Sequence, residues 1–220
     1  MKIKKLLTCI VSTMCAAVMT LSMVSCGHNS SSESDKSSSS SSSVEVDESK
    51  SFTIALYPEF APESCENFES LVKSGFYDGL TFHRVMGGFM AQGGAYTKSG
   101  EARLAPKNVN GEFAANGFTK NTLKHERGTV SMARAQNFNS GSSQFFICYN
   151  NEHSYLDGQY AAFGKVTKGM EVVDGFLNVK MSMGSDEVPS VPSTPIVILK
   201  AEMIEDDGEG HHQAKFYMQY

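Results

Sequence analysis

Arg84 and Gln92 stand eight residues apart in the run Phe82-His83-Arg84-Val85-Met86-Gly87-Gly88-Phe89-Met90-Ala91-Gln92-Gly93-Gly94, with Phe89 and Met90 between them. In strand geometry both polar side chains can point to one face. Such a face sets a permanent cation and an amide beside an apolar surface. Spacing alone favours a plainer reading, a core stripe with Arg84 turned to solvent. Three further segments carry residue types unusual for plain strands: Ser131-Met132-Ala133-Arg134-Ala135, Gly141-Ser142-Ser143-Gln144-Phe145-Phe146-Ile147, and Tyr155-Leu156-Asp157-Gly158-Gln159-Tyr160 running on to Val166.

Other chemistries fit less well. The pairs Gly87-Gly88 and Gly93-Gly94 share only glycine content with a phosphate cradle, because no Lys-Ser or Lys-Thr pair opens a helix after them. Ser142 lacks the glycine that a nucleophile elbow places two residues on. His83, His125, His153, His211 and His212 are dispersed without metal-ligand spacing to one another or to the cysteines, so they read as structural or surface residues. No metal and no cofactor is expected.

These segments need a rigid support, and the pattern from Val44 onward is one of short strands between glycine-rich turns, an all-β barrel or sandwich. Strands are expected at Phe52–Leu56, Thr81–Val85, Phe89–Gln92, Gly128–Ala133, Gln144–Cys148 and Ala161–Val166, with a closing strand from Pro195 to Ile204. Ala61-Pro62-Glu63 opens a helix with proline in its first turn and Phe68, Leu71 and Val72 on one face, and Gly75 ends it. A second short helix is expected near Met170–Phe176. The stretch from Gly94 to Arg127 has little periodicity, and a connection that long is more often functional than idle. Only Val44-Glu45-Val46 stands where a strand could precede Phe52. The domain is placed at residues 44–205 and the tail at 206–220 is expected to be poorly ordered.

The 220 residues, 40% apolar and 20% charged, suffice for one domain with a real core. Net charge is −5, and the lysines at positions 2, 4 and 5 carry three positive charges with no acid near them, so the chain without its first 25 residues carries −8. That balance excludes a nucleic-acid partner and electrostatic docking on anionic lipid. Met1 to Lys5 form a cationic start and Leu6 to Val24 an apolar stretch, the build of a secretory signal over residues 1–25. An uncleaved membrane anchor is the alternative. Met23-Val24-Ser25-Cys26-Gly27 resembles a bacterial lipobox, except that leucine is usual at the first position. The resemblance implies diacylglycerol on Cys26 and an extracytoplasmic protein held at the bacterial cell membrane, since two acyl chains anchor stably. Eleven of the residues from Asn29 to Ser43 are serine, so residues 26–43 read as a flexible tether. Cys65 and Cys148 remain in the domain, and sequence does not show whether they pair.

Taken together and in order, Phe82-His83-Arg84-Val85, Gly88-Phe89-Met90 with Gln92-Gly93-Gly94, Gly128-Thr129-Val130-Ser131-Met132-Ala133, Ser143-Gln144-Phe145-Phe146-Ile147 and Leu156-Asp157-Gly158 resemble the cyclophilin family of peptidyl-prolyl cis-trans isomerases over about residues 50–205. The resemblance implies a mainly β fold, a closed eight-stranded antiparallel barrel capped by two α-helices. It implies a cofactor-independent, monomeric isomerase whose partners are proline-containing segments of folding proteins. Arg84 matches the catalytic arginine. Phe89, Met90, Phe146 and Leu156 match the wall that receives the proline ring, Gln92 the amide beside the substrate backbone, and Ala133 with Arg134 the edge that pairs with the peptide. Tyr155 and Tyr160 hold positions where the best-known members have tryptophan and histidine, so affinity for the cyclic immunosuppressant peptide is expected to be weakened. Gly87, Arg134 and Ala95 also depart from the common proline, asparagine and acidic residue. Two other classes compete with the enzyme: a proline-segment binding module without turnover, and a solute-binding lipoprotein, for which too little chain remains. Retention of Arg84 favours the enzyme, because binding alone does not require a cation beside apolar walls.

Overall fold

A computed structural model describes residues 45–185 and 187–220; the expected signal, Cys26 and the serine tether lie outside them. Eight antiparallel strands close a barrel: β1 (Ser51–Leu56), β2 (Leu80–Val85), β3 (Met90–Thr97), β4 (Thr129–Met132), β5 (Phe145–Cys148), β6 (Ala162–Lys168), and, after a separate hairpin of β7 (Met181–Met183) and β8 (Pro189–Pro192), β9 (Ile196–Ile204) and β10 (Gln213–Gln219). Their order around the barrel is β1, β10, β9, β2, β3, β5, β4, β6, and β6 pairs back onto β1. Closure leaves no open barrel edge.

The interior is aromatic. Helix α1 (Pro62–Lys73) inserts Phe68 between Tyr77, Phe145, Phe163 and Phe216, with ring centroids 5.0–5.9 Å away. Helix α2 (Met170–Gly175) runs into a 3-10 turn at Phe176–Asn178, which lays Phe176 on Phe82 at 5.0 Å. Ala61 gives α1 no side-chain cap. The buried Glu112 carboxylate does so instead, accepting from the backbone N–H of Glu63 and Ser64 at 2.8 Å and from the Ser64 hydroxyl at 2.6 Å. Negative charge on the first-turn amides also suits the helix dipole. Part of the unperiodic connection after β3 is thereby explained, since it carries this cap.

Two expectations are corrected here. Residues 45–47 form no strand, and the segment 206–220, expected to be poorly ordered, supplies β10, which lies between β1 and β9. The barrel position with no strand before Phe52 is thus filled from the other end of the chain. Ala214, Phe216 and Met218 alternate inward and are fully buried, and the Phe216 ring stacks on Phe52 at 5.3 Å. The turn before β10 is built on Asp207, whose Oδ1 accepts from the N–H of Glu209 and His211.

Histidines tie this turn to its surroundings. His211 Nδ1 lies 2.9 Å from Asp207, with Glu59 and Glu209 also facing it; His212 Nδ1 lies 2.9 Å from Glu69 on α1, with Asp206 and Lys73 nearby. The hydrogen bonds to Asp207 and Glu69 raise the two imidazole pKa values above the ordinary one. A raised folded-state pKa gives stabilisation that is complete below about pH 6.5 and is lost as pH climbs through the folded value. Replacing both histidines by alanine is therefore expected to lower Tm by about 2–4 °C at pH 5.5 and by much less at pH 8.5, the small size reflecting exposed ion pairs. Equal losses at both pH values in a melting experiment would assign the effect to packing.

Candidate active site

The hairpin between β2 and β3 explains the spacing of eight. Met86 N–H donates to the Met90 carbonyl at 2.9 Å, Phe89 N–H to the Met86 carbonyl at 3.1 Å, and Gly88 turns the chain at φ +78°. Arg84 is thereby the cross-strand partner of Gln92. Gln92 is in turn opposite Phe146 on β5, and Phe146 opposite Ser131 on β4. Directly opposed residues of antiparallel strands share a face. Val85, Ala91, Phe145, Ile147, Val130 and Met132, which alternate with them, belong to the barrel core. The row Arg84, Gln92, Phe146, Ser131 consequently runs across the outside of the wall.

Over this row lies a groove of about 340 Å³ lined by Arg84, Phe89, Met90, Gln92, Ala133, Arg134, Phe146, Leu156 and Tyr160. Met90, Phe146 and Leu156 form its apolar floor, with Cys148 buried beneath them in a cluster separate from the core. Burial pushes the Cys148 thiol up to about 12, so it is an apolar element of that cluster and not a thiolate. Cys65 is also buried, and both cysteines are free. The Arg84 guanidinium carbon stands 5.9 Å from the Phe89 ring centroid and its Nη1 4.0 Å from the Met90 sulfur. A cation is therefore presented along an apolar wall. Tyr155 is not part of this lining: the residue is 62% exposed, its ring centroid 6.5 Å from that of Phe89. Cys26 lies outside the described residues.

Three supporting residues escape a reading of the sequence. Gln144 accepts the Gln92 amide N–H at 2.9 Å, which fixes the direction of that amide. His125 stacks behind Phe146 at 6.0 Å, held by Asp157 at Nδ1 and Ser131 Oγ at Nε2, each 3.0 Å away. These are the residue types of a hydrolase triad, yet Ser131 is fully buried, so the chain of bonds positions a ring and presents no nucleophile. Burial, opposed by the Asp157 contact, lowers the His125 pKa. Burial acts to raise the Asp157 carboxyl, but hydrogen bonds from His125 and Lys124 outweigh it and hold it below the usual carboxylate range. His153, buried with no hydrogen-bond partner for its ring nitrogens among the described residues, packs its ring edge-to-face with Phe89 at 5.1 Å. Of the three, only Gln144 lies within a segment the sequence singles out for site chemistry; the histidines look dispersed because the fold alone brings them under the groove. The Gly93-Gly94 pair has a packing reason: Gly94 has φ +90°, and a Cβ there would lie 2.6 Å from the Ser143 carbonyl oxygen.

Phe146→Ala is expected to weaken substrate binding and slow exchange together, because it removes the floor beside Gln92 and the surface on which His125 rests. Native kinetics for this variant would take Phe146 out of the site.

Residues 42–203 match the family model described as cyclophilin type peptidyl-prolyl cis-trans isomerase/CLD. The chain belongs to this cyclophilin family. Among its relatives, peptidyl-prolyl cis-trans isomerase A of Dickeya dadantii (strain 3937) is 41% identical over 155 residues, covering 69% of this chain and 78% of that protein. Peptidyl-prolyl cis-trans isomerase B of Bacillus subtilis (strain 168) is 40% identical over 133 residues, 60% of this chain and 87% of the other. A crystal structure of a cyclophilin type peptidyl-prolyl cis-trans isomerase from Cryptosporidium parvum, determined in the presence of the dipeptide Ala-Pro, superposes with a TM-score of 0.54 at 28% identity, covering 68% of this chain and 89% of that one. The cyclophilin match ends at residue 203, ahead of β10 at Gln213–Gln219. The groove of this cyclophilin lies wholly within the matched residues.

Proposed function

We propose that this cyclophilin isomerises X-Pro bonds in exported proteins while they fold, as an extracytoplasmic protein anchored to the bacterial cell membrane by lipid on Cys26. The observation that carries the isomerase chemistry is the single outward row of Arg84, Gln92 and Phe146 beside an apolar floor. The Ala-Pro dipeptide named with the Cryptosporidium structure supports proline-containing segments as occupants of this groove. The resemblance of Met23 to Gly27 to a lipobox, and the serine run after it, support the anchor and tether.

Amide resonance gives the peptide bond partial double-bond character and a rotation barrier of about 18–20 kcal/mol. For X-Pro the two isomers are close in energy but exchange over tens to hundreds of seconds, roughly. The reaction makes and breaks no covalent bond, so a nucleophile is not required. In the twisted state the proline nitrogen regains its lone pair and becomes a hydrogen-bond acceptor. Arg84 can donate to that lone pair, and this contact is absent in the planar ground state, which is the condition for lowering a barrier. An acceleration of about 10⁵ requires about 7 kcal/mol of differential stabilisation. One charge-assisted hydrogen bond supplies only part of this. Water exclusion by Phe89, Phe146 and Leu156, and orientation of the backbone by the fixed Gln92 amide, supply the remainder.

Catalysis is tested by NMR exchange or protease-coupled assay on a proline-containing peptide with the purified protein, where a rate equal to the uncatalysed one would refute the enzyme. The anchor is tested separately by mass spectrometry of the mature N-terminus. An unmodified Cys26 or an intact signal would refute lipidation without touching the chemistry.

A further inference from the structure

We infer that Arg134 makes the groove select proline segments that carry a side-chain carboxylate close to the proline; this rests on the isomerase reading of the same groove. Arg134 follows β4 and lines the groove wall. Its guanidinium is caged, with the central carbon 4.5 Å from the Tyr160 ring centroid, 4.8 Å from Phe138 and 5.2 Å from Phe113. Backbone carbonyls fix its orientation: Nε and Nη2 donate to the Gln159 oxygen at 3.2 and 3.0 Å, and Nη1 to the Ala135 oxygen at 2.9 Å. Three N–H groups are thereby used, and a guanidinium has five.

Among the described residues no carboxylate neutralises the charge of this cation: none lies within 4.0 Å of its nitrogens, whereas Arg127 has Asp174 at 2.6 Å and Lys200 has Glu202 at 2.5 Å. Carbonyl dipoles and ring faces orient a guanidinium without cancelling it. One N–H on Nη1 and one on Nη2 remain to donate to a carboxylate, and a pre-positioned guanidinium loses little freedom on pairing. An acidic side chain of the bound segment is the partner this arrangement lacks. Arg134 lines the same groove as Arg84, Gln92 and Phe146, so a segment whose proline occupies that groove carries its neighbouring side chains past Arg134.

The test uses the purified full chain and peptide twins that differ only by glutamate or glutamine at each of the two positions on either side of proline. NMR exchange gives kcat/KM for each twin. For at least one position the glutamate twin is expected to exceed the glutamine twin by about fivefold at low ionic strength, with the ratio shrinking in 0.5 M salt as screening predicts. Arg134→Gln is expected to bring that ratio close to one, and Arg134→Lys to retain part of it. A ratio of one at every position in the unaltered protein would overturn the inference, as would a preference that persists in Arg134→Gln. The salt series on the unaltered protein reads the charge effect even if a variant folds poorly. Exchange of the glutamine twins reports the isomerase by itself, so activity on them with no glutamate preference removes the selectivity alone, and inactivity on all twins removes the reading beneath it.

Discussion

Replacing Arg84 by alanine is expected to lower kcat/KM for X-Pro exchange at least tenfold, equivalent to about 1.4 kcal/mol or more of lost transition-state stabilisation, with the fold unchanged. The side chain is on the outward face of β2 and packs on Phe89 and Met90, apart from the barrel core, so its removal opens no cavity inside. In the proposed mechanism, what disappears is the donor that meets the proline nitrogen only when the bond is twisted. The loss should therefore appear mainly in kcat, with a smaller change in KM, because the apolar floor that holds the ring remains. Arg84→Lys keeps the charge but not the planar fork, and is expected to recover only part of the rate. Exchange measured by NMR, beside a thermal melt to establish folding, checks both. Native turnover in a folded Arg84→Ala protein would remove this residue from the mechanism.

Why Arg84 could be found in the sequence at all, while its supports could not, follows from how a hairpin differs from a barrel. Residues 84 and 92 are joined by one local turn, so spacing permits a shared face, but spacing alone favoured Arg84 turned to solvent, and it was the ordered set of motifs resembling the family that assigned Arg84 to the site. Seven of the eight barrel strands, β1 to β6 and β9, were legible as short runs rich in apolar or small residues, most of them next to a glycine or proline. His125 reaches Phe146 only because β4 and β5 pair and Asp157 arrives from beyond β5. No local pattern encodes that convergence. Glu112 is a similar case: its capping of α1 joins positions 48 residues apart in sequence. The hairpin of β7 and β8 escaped because its short strands, partly exposed and with prolines at both ends of β8, lack a core-facing alternation. In β10 the alternation of Ala214, Phe216 and Met218 was present, but it follows an acidic, glycine- and histidine-containing stretch at the end of the chain. Its order comes from the two waiting strand edges of β1 and β9, a property of the closed topology and not of the segment.

Truncation after Ile204 tests that dependence most severely, and the truncated chain is expected to lose cooperative folding. It would retain essentially every residue of the family match and the whole groove, so similarity alone would predict a functional domain. Physically it would expose two long strand edges at once and remove five buried side chains, Gln213, Ala214, Phe216, Tyr217 and Met218. Phe216 alone touches the rings of Phe52, Phe68, Tyr77 and Phe145. Its replacement by alanine is expected to cost about 3–5 kcal/mol. Against a total stability of about 5–15 kcal/mol, that single change leaves a weakened fold, and deletion of the whole strand leaves none. The chain has no tryptophan, so unfolding is followed by circular dichroism or tyrosine fluorescence. Phe216→Ala should melt roughly 6–20 °C below the unaltered protein while still folding, and its isomerase activity well below that melting point should be close to normal, because Phe216 faces the barrel interior and not the groove. A chain ending at Ile204 that melts cooperatively near the original temperature would show that β10 is an accessory to the barrel and that β1 and β9 can close without it.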